Sequence, residues 1–371
     1  MIPFLAVAVL AAAGPRPVPS APTSDPVQPA FLGCAASQSA TSATSAPRVD
    51  EPRTLRFAPA PDTKLARRLE LSHELQVAAL VQTNARGESQ RSTPELGIRT
   101  KLELGFVDDV RAVSGGRPVR LRRAFESGLF HLDYGTKGAR NRTVADARTL
   151  LEGASVVFTW VPEESAWGAY YDGREEAEEV LAFLRADADL LALLPSAPVR
   201  ADATWDVPAE RLVDVFGLGG RIPLTWPKDV DRAMVRTVSF GVGGGLDGVF
   251  GGATKGGARA TLVRIEPRDG AEFARVALVF DLEAEREREQ SDLGRGRAAL
   301  DEGPVSTLTT QVRWNFRGTG ELVWNLTAAR AESLSIEGDE KVVASSRPER
   351  TGPVRQDLEV AGRLRLAYSI R

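Results

Sequence analysis

Histidine and cysteine are almost missing from this chain of 371 residues, which holds two histidines, His73 and His131, and a single cysteine, Cys34. One cysteine cannot close an internal disulfide, so the fold has to stand on packing. Two histidines distant in sequence remove most routes to a transition-metal site or a histidine-based triad. Excess positive charge is absent as well: 47 Lys and Arg face 50 Asp and Glu, for a net charge of −3. Without a positive field to hold a polyanion, nucleic acid is not expected as a partner. No stretch reaches the 18 or more uninterrupted apolar residues of a spanning helix, so no transmembrane span is expected in the mature chain. Aromatics make up only 6% of the residues, yet the 43% hydrophobic content suffices for a substantial core.

The first residues do carry a signal. Met1 to Gly14 form a short apolar run ending in small residues, which predicts a secretory signal peptide over 1–14, although no Lys or Arg precedes the run. Export to the periplasm, cell surface or medium is the expected localisation. Residues 15–52 are rich in Pro, Ala, Ser and Thr, with few large apolar side chains to offset ordering entropy, and read as a disordered spacer. Within it, Phe31-Leu32-Gly33-Cys34-Ala35 resembles a bacterial lipobox, which makes Cys34 a lipidation candidate. A proline-rich stretch separates it from the apolar run, which a lipobox normally follows directly.

Period-two alternation dominates the chain from residue 69 onward. Leu69, Leu71, His73, Leu75, Val77 and Ala79 share one face of a predicted strand, and Ile98, Thr100, Leu102, Leu104 and Phe106 share one face of the next. Shorter strands are expected at 119–123, 129–134, 155–161 and 166–171. The pattern returns after residue 258. Val276, Leu278, Phe280 and Leu282 point one way, as do Val312, Trp314 and Phe316, then Leu322 and Trp324, then Val360, Leu364, Leu366, Tyr368 and Ile370. Between the two halves, Asp172 and the glutamates after it suggest the start of a long helix over Gly173–Leu194. Val180, Leu181, Leu184 and Leu191 lie on its apolar face, and Pro195 stops it. A short helix is predicted after Pro208, with Leu212, Val213 and Phe216 inward and Gly217 as its cap. Residues 241–257, rich in glycine, read as a mobile loop, and the charge-dense stretch Glu283–Asp301 as an exposed connection.

The expected fold class is therefore α+β: a large, curved antiparallel sheet of about ten strands with one long and one short helix packed on it. The sheet domain should run from 65 to 370. A division into two similar halves, 65–220 and 258–370, joined by the glycine-rich loop, fits the same hairpin order.

Candidates for chemistry are few. Gly243, Gly245 and Gly248 spell a GxGxxG, but more glycine comes after it where a dinucleotide site needs a helix, so no cofactor is expected. Asp108-Asp109 and Glu163-Glu164 are carboxylate pairs, and a carboxylate-based hydrolase would require them to converge across one cleft. His73 and His131 are expected to be buried, hydrogen-bonded residues of their strands and not ligands or bases. Trp160, Trp167, Trp205, Trp314 and Trp324 are scattered among strands and read as core and edge residues. No catalytic, cofactor or metal residue is assigned.

Residues 198–212, Pro-Val-Arg-Ala-Asp-Ala-Thr-Trp-Asp-Val-Pro-Ala-Glu-Arg-Leu, resemble a feature of secreted or lipoprotein-type bacterial families of unknown function, a Trp-x-Val-Pro stretch before a short helix. Residues 318–326 and 333–338 are similar to the C-terminal hairpins of those families. A looser similarity is to periplasmic lipoprotein carriers, half-barrels that hold acyl chains under helical lids. The resemblance supports this architecture and adds no active residue. The broad apolar face of the expected long helix, together with the many inward leucines, valines and aromatics, leads to the expectation of a non-catalytic, exported binding or scaffold protein, with Val180, Leu181, Leu184 and Leu191 as its apolar ligand surface and a lipid or other apolar molecule as the candidate partner. A purely structural envelope protein is the alternative.

Overall fold

The computed structural model describes residues 51–84, 86–136, 142–173, 180–182, 184–186, 189–228, 230, 252–291, 307–348 and 355–371. Strands take 68% of the described residues and helices 5%. In chain order the elements are β1 (Lys64–Thr83), β2 (Ser89–Ser92), β3 (Gly97–Ser114), β4 (Arg117–Gly135), β5 (Thr143–Thr149), β6 (Ser155–Val161), β7 (Ala166–Tyr171), β8 (Thr204–Pro208), α1 (Ala209–Phe216) and β9 (Leu224–Thr225). Five long strands complete the sheet: β10 (Ala253–Arg268), β11 (Ala271–Ser291), β12 (Thr307–Asn325), β13 (Arg330–Pro348) and β14 (Arg355–Ile370).

All 14 strands join one antiparallel sheet, eleven of them in the order β7-β6-β4-β3-β1-β14-β13-β12-β11-β10-β8, with β2 paired to β1, β5 to β4, and β9 to β5. Two meanders, β1 to β7 and β10 to β14, meet where the first long strand pairs with the last. That seam runs from Arg67↔Ile370 to Thr83↔Arg355. Because directly paired residues point to the same face, the register converts each strand's alternation into rows that cross the sheet. One such row reads Ala147, Phe130, Leu102, Leu71, Leu366, Ile336, Gly320, Leu278, Ala260 and Trp205. These side chains face inward and most are buried.

The opposite face is built for water. Cross-strand ion pairs cover it: Lys101 with Glu70 at 3.2 Å, Arg275 with Glu321 at 2.8 Å, Arg365 with Glu337 at 3.1 Å and Lys341 with Glu359 at 2.8 Å. Each such exposed pair contributes about 0–1 kcal/mol, so their main effect is on which face points outward.

The inner face is covered by the chain that connects the two meanders. Leu181, Leu190, Leu193 and Leu194 are buried there, as are Leu212, Val215 and Phe216 of α1. Phe216 sits edge-on to Phe280, Trp314 and Phe316, with ring centroids 5.5–5.9 Å apart. Trp226 packs edge-on against Phe130 at 5.4 Å. Before β1, residues 53–62 cross one end of the sheet. Arg53 bridges Val199, the Ala58 N–H donates to the Ala329 carbonyl at 3.0 Å, and the Asp62 N–H donates to the Val110 carbonyl at 2.7 Å. Leu55 and Phe57 plug that end.

The α+β expectation is overturned: this is an almost all-β molecule with one α-helix among its described residues. That helix is the short one, Ala209–Phe216, between Pro208 and Gly217 as its sequence implied. The long helix over Gly173–Leu194 does not form where the chain is described. Gly173 adopts φ 75°, Leu190 adopts φ 57°, Leu184 makes a β-bridge to Gly220, and Leu191–Leu193 make a 3-10 turn. Two left-handed residues cannot be accommodated in a right-handed helix. The leucines that suggested a helical stripe are instead buried by an irregular segment lying over a concave sheet, where several directions lead to apolar neighbours.

Strand count and length were also underestimated. Residues 119–123 and 129–134 are parts of the single strand β4, and Glu283 to Ser291 continue β11. The end of the glycine-rich stretch, from Ala253, belongs to β10, while 231–251 lie outside the described residues. Gly256 is needed for close approach: at φ 79°, a Cβ there would fall 2.0 Å from the Asp281 carbonyl oxygen. The predicted signal peptide, Cys34, and Gly243, Gly245 and Gly248 also lie outside the described residues, as does most of the spacer.

Candidate functional site

Two polar islands interrupt the apolar inner face, and both arise where a charged residue occupies an inward position of an alternating strand. Arg67 on β1 lies between Leu65 and Leu69 in parity, Asp108 on β3 between Phe106 and Val110, and Arg123 on β4 between Leu121 and Phe125. The register brings them together, since Arg123 is opposite Asp108 and Arg67 is opposite Phe106. Arg123 grips Asp108 with two nitrogens, Nε at 2.7 Å and Nη2 at 3.0 Å. Arg67 Nε reaches the same carboxylate at 2.8 Å. The side chains of Asp108 and Arg123 are both 0% exposed. The Arg123 guanidinium lies 4.3 Å from the Phe106 ring centre, where the ring face stabilises a desolvated cation.

The remaining donors of both arginines turn to the cover. Arg67 Nη2 donates to Asp189 Oδ1 at 2.5 Å, and Arg67 Nη1 donates to the Tyr368 hydroxyl of β14. Arg123 donates to the carbonyls of Arg185 at 2.8 Å and Ala186 at 2.9 Å. Two cations and two anions thus balance only with the cover in place, because the sheet itself supplies Arg67, Arg123 and Asp108. Burial alone would lower the Arg67 guanidinium, but Tyr368, Asp189 and Asp108 outweigh it and hold Arg67 above its ordinary value. Burial pushes the Asp189 carboxyl up, against the pull of Arg67. Tyr368 is pushed up to about 12, first by burial, which outweighs the attraction of Arg67.

The second island is His73 with Glu340. His73 on β1 and Glu340 on β13 are separated by β14, and Gly362, opposite Glu340, contributes no side chain between them. His73 Nδ1 lies 2.7 Å from Glu340 Oε1, and the Trp314 indole donates to Oε2 at 3.2 Å. The carboxylate fixes the ring and directs Nε2 away from it. That nitrogen and the hydroxyl of Thr100, the residue opposite His73, are buried without a hydrogen-bond partner.

The other predicted residues do not converge. Asp109 pairs with Arg111 at 2.6 Å. Glu163 and Glu164 stand exposed in the β6–β7 turn. Val156, opposite Arg123, is five residues before Val161, about 16 Å of strand, so these glutamates lie beyond the reach of Asp108. His131 is not buried; it faces solvent, 2.7 Å from Asp146. Among the tryptophans, Trp314 and Trp324 are buried, and Trp160 and Trp167 meet edge-on at 5.7 Å in the edge hairpin. Leu181 is buried, and Val180, Leu184 and Leu191 pack half-buried against the same core. Among the described residues, no group of three or more His, Cys, Asp or Glu is placed to hold a metal ion.

Arg67, Arg123, Asp189, Tyr368 and Glu340 were not singled out from sequence. The available signal was a charge at an inward register position, and for Asp189 there was none, since the helical spacing of its segment pointed to a helix that does not form among the described residues.

No family model matches the chain, and no curated protein matches it. Among solved structures, it is similar to an outer membrane channel from Pseudomonas putida F1 at 6% identity, over 85% of this chain and 98% of that one, with a TM-score of 0.21. So slight a likeness carries neither fold nor function across. No described helix is long and apolar enough to cross a membrane. The chain is thus described by its own geometry: a wide antiparallel sheet whose charged clusters lie inside, beneath an irregular cover.

Proposed function

We propose that this chain is an exported, non-catalytic binding protein of the bacterial cell envelope, which shelters an apolar ligand between the inner face of its sheet and the segment that covers it. The observation that carries this reading is a mismatch in order. A continuous, strongly apolar sheet face is covered by a segment whose described residues hold one eight-residue helix, short 3-10 turns and a few bridges. Burying each of its leucines stabilises the cover by about 1.5–3 kcal/mol, an amount that an apolar ligand of similar area can replace. The separation of Asp108 from Glu163 and Glu164 supports the absence of a carboxylate-based hydrolase. Export rests on the apolar run Met1 to Gly14.

A purely structural role is the second reading. It is favoured by the packing of Phe216 among Phe280, Trp314 and Phe316, which fills the concave side at the C-terminal meander. One experiment separates the two. The full-length chain is expressed in a bacterium, recovered from the periplasm without detergent, and extracted with organic solvent for mass spectrometry. A stoichiometric amphiphile supports the binding reading. A lipid-free protein that also takes up none when offered a mixed lipid extract leaves the structural one, and retention in the cytoplasm refutes export.

A further inference from the structure

We infer that Asp189 and the leucines around it stand in for an amphiphilic carboxylate, and that the natural ligand of the inner face is such a molecule, an apolar chain bearing one carboxylate. The inference rests on the binding reading above and names its ligand class. Three observations lead to it. First, the sheet alone carries two buried arginines and one buried aspartate at this place, an excess of one positive charge that the cover neutralises with Asp189. Second, that carboxylate is recognised as a ligand's would be, by a guanidinium nitrogen at 2.5 Å, with the same guanidinium braced by the Tyr368 hydroxyl and Asp108. Third, the carboxylate belongs to an apolar body: Leu181, Leu190, Leu193 and Leu194 of the same segment are all buried in the core that the sheet's inner face lines.

A segment with one acid and a row of leucines presents to the sheet the same surface as a long-chain carboxylic acid. Its backbone is held mainly by side chains and not by a ladder: among the described residues of 180–194, the Leu184–Gly220 bridge, with the Arg185 N–H donating to the Gly219 carbonyl, is the one strand-like tie to a distant segment, while Trp205 donates to the Leu193 carbonyl and Arg211 to the Leu191 carbonyl. The Arg123 bonds to the Arg185 and Ala186 carbonyls are ones a ligand's arrival would release. The second carboxylate oxygen of a ligand could accept from the donors so freed. An alcohol or an ester of the same chain length would leave the excess charge of Arg67 and Arg123 uncompensated.

The test uses the full chain and 11-(dansylamino)undecanoic acid as a fluorescent probe, displaced by dodecanoate or by 1-dodecanol. Asp189→Asn keeps the side chain's shape and removes the internal competitor's charge. The expected result is weak probe binding by the parent chain, binding at least about tenfold tighter by Asp189→Asn, and displacement by dodecanoate at concentrations at least tenfold below those of dodecanol. In Asp189→Asn with Arg67→Met, the preference for dodecanoate should vanish. Should either variant fail to fold, the parent chain decides: saturating dodecanoate should accelerate amide hydrogen exchange in residues 181–194 and dodecanol should not. Equal binding of acid and alcohol overturns the carboxylate inference and leaves the binding reading intact. No binding of either by any folded variant, together with unchanged exchange in the parent, overturns both.

Discussion

Replacing Asp108 by asparagine changes one atom and should remove a large part of the molecule's stability. The Asp108 carboxylate is fully buried, accepts from Arg123 at 2.7 and 3.0 Å, and forms an ion pair with Arg67, whose Nε lies 2.8 Å away. Asparagine preserves the volume but turns one acceptor into a donor, which then faces a guanidinium N–H. It also leaves the cluster with two cations against Asp189 alone. Removing one partner of a buried ion pair destabilises by about 3–5 kcal/mol, against a whole-domain stability of about 5–15 kcal/mol. With a urea dependence of about 2–3 kcal/mol per molar, the unfolding midpoint should drop by roughly 1–2 M. Equilibrium urea unfolding followed by tryptophan fluorescence and far-UV circular dichroism measures this directly. A loss below about 1 kcal/mol would refute the reasoning, because it would mean that the arginines relax into solvent at little cost. A double-mutant cycle with Arg67→Met sharpens the test, with an expected coupling of about 1–3 kcal/mol for residues in contact.

Two further outcomes are expected from other parts of the sheet. Gly338→Ala should destabilise by about 1–3 kcal/mol, read as a lower melting temperature, because its Cβ would fall 2.3 Å from the Arg317 carbonyl oxygen and 2.8 Å from a Phe316 ring carbon. Alkaline conditions should weaken the fold through Tyr368. Its raised value means the folded state keeps a proton that the unfolded state releases near 10.0, so its contribution is complete below pH 10 and is lost as pH climbs to about 12. The total is about 3 kcal/mol over those two pH units. Tyr368→Phe should abolish that part of the alkaline loss in urea unfolding measured from pH 9 to 12.

Much of the sheet was legible because period two is a strong, repeated signal and the register here is regular. The inward sets Leu69 to Val77, Ile98 to Phe106 and Val276 to Leu282 are buried as their alternation implied. Strand ends were harder. Glycines and charges near β10 and β11 look like loops when read alone, yet in a wide sheet Gly256 is a contact residue, and Asp281, Glu283 and Glu285 of β11 form ion pairs with Arg317 and Arg313 on the solvent face. The failed helix is the more instructive case. Leu181, Leu184, Leu191 and Leu194 have helical spacing, but spacing reports a helix only when apolar neighbours lie on one side, and a concave sheet surrounds its cover. The candidate site was half visible: Arg67, Asp108 and Arg123 break the apolar parity of their strands. Their convergence depended on the register of three strands, and Asp189 on a segment whose helical spacing pointed to a helix that does not form among the described residues.

The seam between β1 and β14 shapes the life history of the molecule. A strand that begins at residue 64 waits for one that ends at residue 370, and the Ala66 and Arg371 backbones close the last rungs with bonds of 2.8 and 3.1 Å. During synthesis or passage through a membrane, β1 therefore presents a long bare edge with Leu69, Leu71 and Leu75 beside it, the kind of surface that aggregates or recruits a chaperone. Folding must be late and of high contact order, and so slow for a chain of this size. The same adjacency makes a circular permutant feasible: joining residue 371 to residue 51 by a linker, so that Leu55 and Phe57 are kept, and opening the β6–β7 turn would make the latest pairing an early one, and should speed refolding.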